Sequence, residues 1–283
     1  MAKRAAFLHV GLDDRSGDVL DVALRHHSHP LAALGVQAPG DSGEELFRAA
    51  LDILRTHRTW GYRRDEVEGV WSDICRRGHR GTGTLVVSQP MLAEATTGQV
   101  ELLLDALRGF QRHVVLTLAA PDTWTAGDLD LGPMLDRWVT ALGRPERVHV
   151  IVSPPVRCPA TTWRAFGKVV GFGTASLTVD GLEVPTLARP PRLVSTERHE
   201  ALRDLGRRWA GQLVSRGLDV RGDLADLVPQ VAPAPDPVSL LGPTDAALAE
   251  ALRTVERLER RNQTLESRVA QLRAVRRRWG RSA

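Results

Sequence analysis

Ala5-Ala6-Phe7-Leu8-His9-Val10-Gly11, followed after a polar interval by Val19-Leu20-Asp21-Val22-Ala23-Leu24, is the stretch on which the reading of this chain turns. The first segment is a short apolar run closed by glycine. The second places Val19, Leu20, Ala23 and Leu24 at helical spacing. A strand that hands over to a helix through a polar loop opens a βαβ unit, and the pattern recurs along the chain. Apolar runs at residues 84–88, 113–119 and 147–152 predict further strands, and helical periodicity covers 44–57, 66–75, 97–110 and 131–142. Continuous apolar strands of four to six residues need burial on both faces. The expectation is therefore an α/β fold, a parallel sheet with helices on both faces.

Further along, residues 162–170 predict a short helix, and residues 196–216 a longer one with Leu202, Leu205, Trp209 and Leu213 on one face. Prolines at 229, 233, 235, 237 and 243 then rule out a helix or a central strand and predict a stiff, extended linker. The organisation read from the chain is an α/β domain over 1–228, a proline-rich linker over 229–243 and a helix over 244–283.

Composition narrows the function classes. With 283 residues and 42% apolar content the chain can bury a large core. No apolar run approaches the ~20 residues that cross a bilayer, so the reading is a cytoplasmic protein with no transmembrane segment. Cys75 and Cys158 stand alone, which predicts neither a disulfide framework nor structural zinc. His26-His27-Ser28-His29 has no carboxylate or cysteine cluster beside it and reads as solvated, so no metal is expected. Trp60, Trp71, Trp124, Trp138, Trp163 and Trp209 are spread over helices and loops and read as core or rim packing. The net charge of +4 is a property of the end of the chain: residues 244–283 hold ten Arg against five carboxylates. That leaves 28 basic and 29 acidic side chains for the first 243 residues, a body at −1.

The loop after the first apolar run, Leu12-Asp13-Asp14-Arg15-Ser16-Gly17-Asp18, occupies a preferred phosphate position in an α/β sheet. Its chemistry opposes a phosphate. Asp13, Asp14 and Asp18 face a single Arg15, and like charges at ~4 Å cost about 1 kcal/mol even in water. His9, on its apolar strand, reads as a satisfied core or loop-supporting histidine.

Residues 7–20 resemble the phosphosulfate-binding loop of the sulfotransferase family, most closely its actinobacterial branch, which opens F-L-H-V-G-x-P-K-T-G-T-T-x-L. Phe7 to Gly11 and Leu20 match, whereas the family's Pro-Lys is Asp13-Asp14, its Thr-Gly is Arg15-Ser16 and its Thr pair is Gly17-Asp18. The resemblance continues in order through Gly35-Val36 and Pro39-Gly40, Ala49 to Asp52, Ser88 to Ala93, and Arg216 to Val220 with Gly222-Asp223-Leu224, covering roughly residues 4–230. It implies a P-loop sulfotransferase-like fold and a cofactor site for 3′-phosphoadenosine-5′-phosphosulfate. That site would be formed by Gly11, Asp14, Arg15, Ser16, Gly17, Asp18 and Ser88, with His9 and Arg15 as vestigial catalytic candidates. The family's phosphate-gripping Arg after a later strand is Ala119 here, and its strand-end Glu is Pro90. Charged phosphate contacts are worth ~1.5–3 kcal/mol each, so their loss predicts no useful binding of the nucleotide. The expectation is a catalytically inactive scaffold with no cofactor. The alternative is an active sulfotransferase that uses Arg15 with 3′-phosphoadenosine-5′-phosphosulfate and a small acceptor.

From Leu248 a heptad register runs cleanly. Leu248, Val255, Asn262 and Val269 fall at a, and Ala251, Leu258, Leu265 and Leu272 at d. β-Branched residues at a with Leu at d, plus one Asn at a, favour a parallel two-stranded coiled coil, the alternative being a single amphipathic helix folded back on the domain. A homodimer or a related coiled-coil chain is the expected partner. The Arg-rich end, Arg273 to Arg281, reads as a solvated end or a contact for an acidic partner, with no sequence-specific nucleic-acid recognition, because the basic helix follows the heptads instead of preceding them.

Overall fold

The computed structural model describes residues 3–11, 16–121, 131–154, 158–182 and 196–229, with the side chains of 16–18 and 196–198 left out. The chain divides into two units, residues 1–232 and 233–283. The linker from residue 230, the heptad positions Leu248 to Leu272 and the Arg-rich end lie outside the described residues.

Six strands form one sheet: β1 (Ala5–Gly11), β2 (Val36–Gln37), β3 (Thr84–Ser88), β4 (Gln111–Leu118), β5 (Val148–Val152) and β6 (Asp219–Arg221), in the order β2-β3-β1-β4-β5-β6. Every described pairing is parallel. Strand alternation sorts the side chains onto two faces. Ala6, Leu8 and Val10, Leu85 and Val87, Val114, Leu116 and Leu118, and Val148, Val150 and Val152 enter one core. Phe7, Val86, Val115 and Ile151 enter the other.

Helices cover both faces. The first core is closed by α3 (Gly43–Leu54), α5 (Val70–Arg80), α6 (Thr97–Asp105), α7 (Leu131–Leu142) and α9 (Thr196–Ser215), through side chains such as Leu46, Trp71, Val100, Trp138 and Trp209. The second is closed by α1 (Ser16–His26), α2 (Ser28–Ala33) and α8 (Pro159–Val170), through Leu20, Leu31, Trp163 and Phe166. The α/β class read from the sequence is the observed one.

Local sequence sets the boundaries. Ser42 caps α3 by accepting from the Glu45 amide at 3.1 Å, while the Glu45 carboxylate accepts from the Asp41 amide and from Arg77 of α5, each at 2.7–2.8 Å. The helix expected at 66–75 is two pieces, α4 (Arg64–Val67) and α5, because Gly69 adopts φ 85° and breaks the run. The helix expected to reach Phe110 stops at Asp105, ahead of a turn ending at Gly109 with φ 103°. Gly206 of α9 is required by contact: a Cβ there would lie 2.1 Å from the Leu227 carbonyl oxygen, on the 3-10 turn Leu224–Leu227.

Of the tryptophans, Trp71, Trp138, Trp163 and Trp209 are buried, and Trp60 packs on Phe47 at the surface, as core and rim residues should. Trp124 lies outside the described residues. His27 departs from the solvated reading. It stands at the junction of α1 and α2 and is buried there, its Nε2 2.8 Å from the Thr178 carbonyl oxygen and its ring stacked on Trp163.

Candidate functional site

In an open parallel sheet, ligands bind outside the carboxyl ends of the strands, where the strand order reverses. Here the chain goes from β1 outward to β2, returns to β3 and then crosses β1 to β4, so the carboxyl ends of β3, β1 and β4 mark the place. Ser88, His9 to Gly11 and Thr117 stand there.

Register brings three of these side chains together. His9 pairs with Ser88 on β3 and with Val115 on β4, two residues short of Thr117. The His9 ring is completely buried, with Nδ1 2.8 Å from the Ser88 hydroxyl and Nε2 3.1 Å from the Thr117 hydroxyl. In a neutral ring one nitrogen donates and the other accepts, so one hydroxyl donates to the ring and the other accepts from it. Burial pushes the imidazole down to about 3. It stays neutral at physiological pH, and accepting a proton from Ser88 would place a cation in a dry core. The Ser88–His9–Thr117 trio has the composition of a nucleophile with its base but the electrostatics of a structural strut.

The other candidates meet the structure unevenly. Asp14 and Arg15 lie outside the described residues. Ser16, Gly17 and Asp18 form the start of α1, their side chains undescribed. Gly11 is half-buried at the end of β1, opposite Thr117. Ala119 is buried just past β4. A cavity of about 10 Å³ opens beside Ser88, lined among others by Asp21, Arg25, Ala38 and Gly40. It has room for about one water. The guanidinium on its wall is already engaged, since Arg25 Nη2 lies 2.7 Å from the Asp21 carboxylate.

A second row of polar side chains, which the sequence reading missed, crosses the sheet near the amino ends of its strands. His113 of β4 stacks on Phe7 of β1, with ring centres 4.6 Å apart. Its Nδ1 lies 2.9 Å from His149 Nε2 on β5, and His149 Nδ1 lies 2.8 Å from Asp219 Oδ2 on β6. Arg221 Nε stands 3.0 Å from Asp219 Oδ1. The carboxylate fixes the tautomers: it accepts from His149 Nδ1–H, and His149 Nε2 then accepts from His113 Nδ1–H, leaving the lone pair of His113 on Nε2. Burial, followed by the charges of His149 and Arg147, pushes His113 down to about 4. Burial alone would raise the Asp219 carboxyl, but hydrogen bonds from His149 and Arg221 and their charges hold it below the ordinary range. Only strand register gathers these residues, which are 36 and 70 positions apart.

The two thiols differ in the same way. Cys75 is buried, which pushes it up to about 12, whereas exposed Cys158 is lowered by the Thr161 hydroxyl, 3.1 Å from its Sγ, and then by the Thr161 amide. Among the described residues no group of three or more His, Cys, Asp or Glu could hold a metal ion, and no helix is long and apolar enough to cross a membrane. The chain matches no protein-family model, and no curated protein matches it.

Proposed function

We propose that this protein is a sulfotransferase-like pseudoenzyme of the cytoplasm, an α/β domain kept as a scaffold and self-associating through its C-terminal heptads. The carrying observation is Ala119: where the resemblance calls for a phosphate-gripping Arg, the chain holds a buried methyl group just past β4. The imidazole of His9 at the same edge is sealed between Ser88 and Thr117 and held near a pKa of about 3, so it does not serve as a general base. The substitutions read from the sequence act in the same direction: Asp14, Gly17, Asp18 and Ala119 stand where the family carries Lys, two Thr and Arg.

Self-association rests on Leu248, Val255, Leu258, Asn262, Leu265, Val269 and Leu272 at a and d positions, with Asn262 pairing with its twin to fix register and strand number. The Arg-rich end then presents two sets of guanidinium groups to an acidic partner.

Calorimetric titration with 3′-phosphoadenosine-5′-phosphate at low salt tests the first part. The expected result is no heat at millimolar ligand, and micromolar binding that Arg15→Ala abolishes would overturn the proposal. Sedimentation of the full chain tests the second, with a dimer expected for the wild type and a monomer for Leu258→Asp/Leu265→Asp.

A further inference from the structure

The fold sorts the charges of a nearly neutral body. Lys3 and Arg4 lead into β1, Arg80 precedes β3, Arg108 and Arg112 flank the start of β4, and Arg144 and Arg147 precede β5. The carboxylates on these connections are Asp105 and Glu146. Seven cations against two carboxylates give this edge +5, so the remaining charges of a body at −1 sum to −6.

The carboxylates are spent locally on Arg108 and Arg144. Both pairs are exposed and so exchange readily for another anion. Among the described residues Lys3, Arg4, Arg80 and Arg112 have no carboxylate partner. Arg4 spans the edge instead: its guanidinium reaches the Gly83 and Gly78 carbonyls at 2.9 and 3.0 Å and lies over Phe110, 4.8 Å from the ring centre. Arg112 bonds the Leu104 carbonyl at 3.3 Å. Carbonyls orient these groups without cancelling their charge.

We infer that the amino edge of strands β3, β1, β4 and β5 is a binding surface for the phosphate backbone of a nucleic acid, read without regard to base sequence. Charge density selects this partner. Four adjacent strands at about 4.8 Å span roughly 15 Å. Along that length a nucleic-acid strand at ~3.4 Å per residue presents about four phosphates. An extended acidic peptide turns alternate side chains away and presents about two carboxylates. An edge at +5 matches the first. Guanidinium groups, six of the seven cations here, also suit phosphate through bidentate bonds. Base reading is not built in: Phe110 is buried beneath Arg4, and the exposed large apolar side chains of the described residues, Leu34, Trp60, Leu102 and Val214, include none on these four connections. Stacking on aromatic rings is what single-strand readers add to such a surface.

The test is fluorescence anisotropy of the full chain with a labelled 20-nucleotide oligothymidine and a 20-base-pair duplex, from 20 to 200 mM salt. Four to five phosphate contacts predict a slope of log K against log salt of about −3 for the single strand and about −4 for the duplex. The variant Arg80→Gln/Arg112→Gln/Arg147→Gln is expected to lose tenfold or more in affinity and about two units of slope, while the corresponding Arg→Lys variant keeps most of both. Circular dichroism checks that each variant is folded. An Arg276→Gln/Arg277→Gln/Arg278→Gln variant serves as control. If it abolishes binding while the edge variant binds like wild type, the surface is the C-terminal end of the chain and the inference fails. No binding of either probe at 20 mM salt, or equal competition by polyglutamate of the same length, overturns it as well.

Discussion

The two ends of one sheet treat histidine in opposite ways. At the carboxyl end, His9 sits between two hydroxyls, carries no charged neighbour and is sealed. Toward the amino end, His113 and His149 form a chain that terminates on a carboxylate and a guanidinium. The first arrangement can only resist a proton, because a neutral partner offers nothing to an imidazolium in a dry core. The second has a carboxylate at its end, Asp219, which orders the row by accepting from His149. A position that topology marks as a ligand site thus holds a sealed, neutral imidazole, whereas seven cations stand on the connections that lead into the other end of β1, β3, β4 and β5.

The largest effect expected from this contrast is acid lability. His9 is neutral in the fold and protonated in the unfolded chain below about 6.5, so its contribution is fully present above pH 6.5 and is lost as pH falls toward about 3. His9 alone should remove about 3 kcal/mol between pH 7.5 and 4.5, and His113, held near 4, adds in the same direction. Urea denaturation at both pH values measures this. His9→Asn should flatten the profile, and an unchanged slope would refute the buried neutral assignment.

Next in size are the hydroxyls that satisfy His9. Ser88→Ala and Thr117→Val each leave a buried ring nitrogen without its partner and should each cost about 1–3 kcal/mol at pH 7.5. An effect under about 0.5 kcal/mol in both variants would mean that the strut carries no stability. At the other end of the sheet, Asp219→Ala should cost about 1 kcal/mol, since its carboxylate is partly solvated. Its distinguishing sign is spectroscopic: the ring-nitrogen shifts of His149 should lose the single fixed tautomer, and His9 should remain unchanged. The smallest expected effect concerns the thiols. A thiol-reactive probe at pH 7.5 should modify Cys158 quickly and Cys75 only on unfolding.

Much of this architecture is legible in the amino-acid sequence. β1, β3, β4 and β5 are continuous apolar runs because both faces are covered, and burial on both sides suppresses the alternation that would otherwise blur a strand. The apolar stripe of α9 bounds that helix to within a residue. β2 and β6, two and three residues at the sheet edges, carry too little apolar sequence to show a period. His9 reads as a satisfied core residue from its strand, but nothing local names its partners.

The class of fold, the order of its main elements and the acidic, lysine-free chemistry of the loop after β1 follow from residue order alone, because apolar periodicity and residue chemistry are local properties. Which polar groups meet is settled by the folded chain. Ser88 and Thr117 reach His9 from 79 and 108 residues away, and Asp219 reaches His149 from 70. Such meetings depend on strand register, and the gathering of seven cations on the connections into β1, β3, β4 and β5 depends on strand order. Charge counts are additive along a chain, but the field they produce depends on where the fold places them.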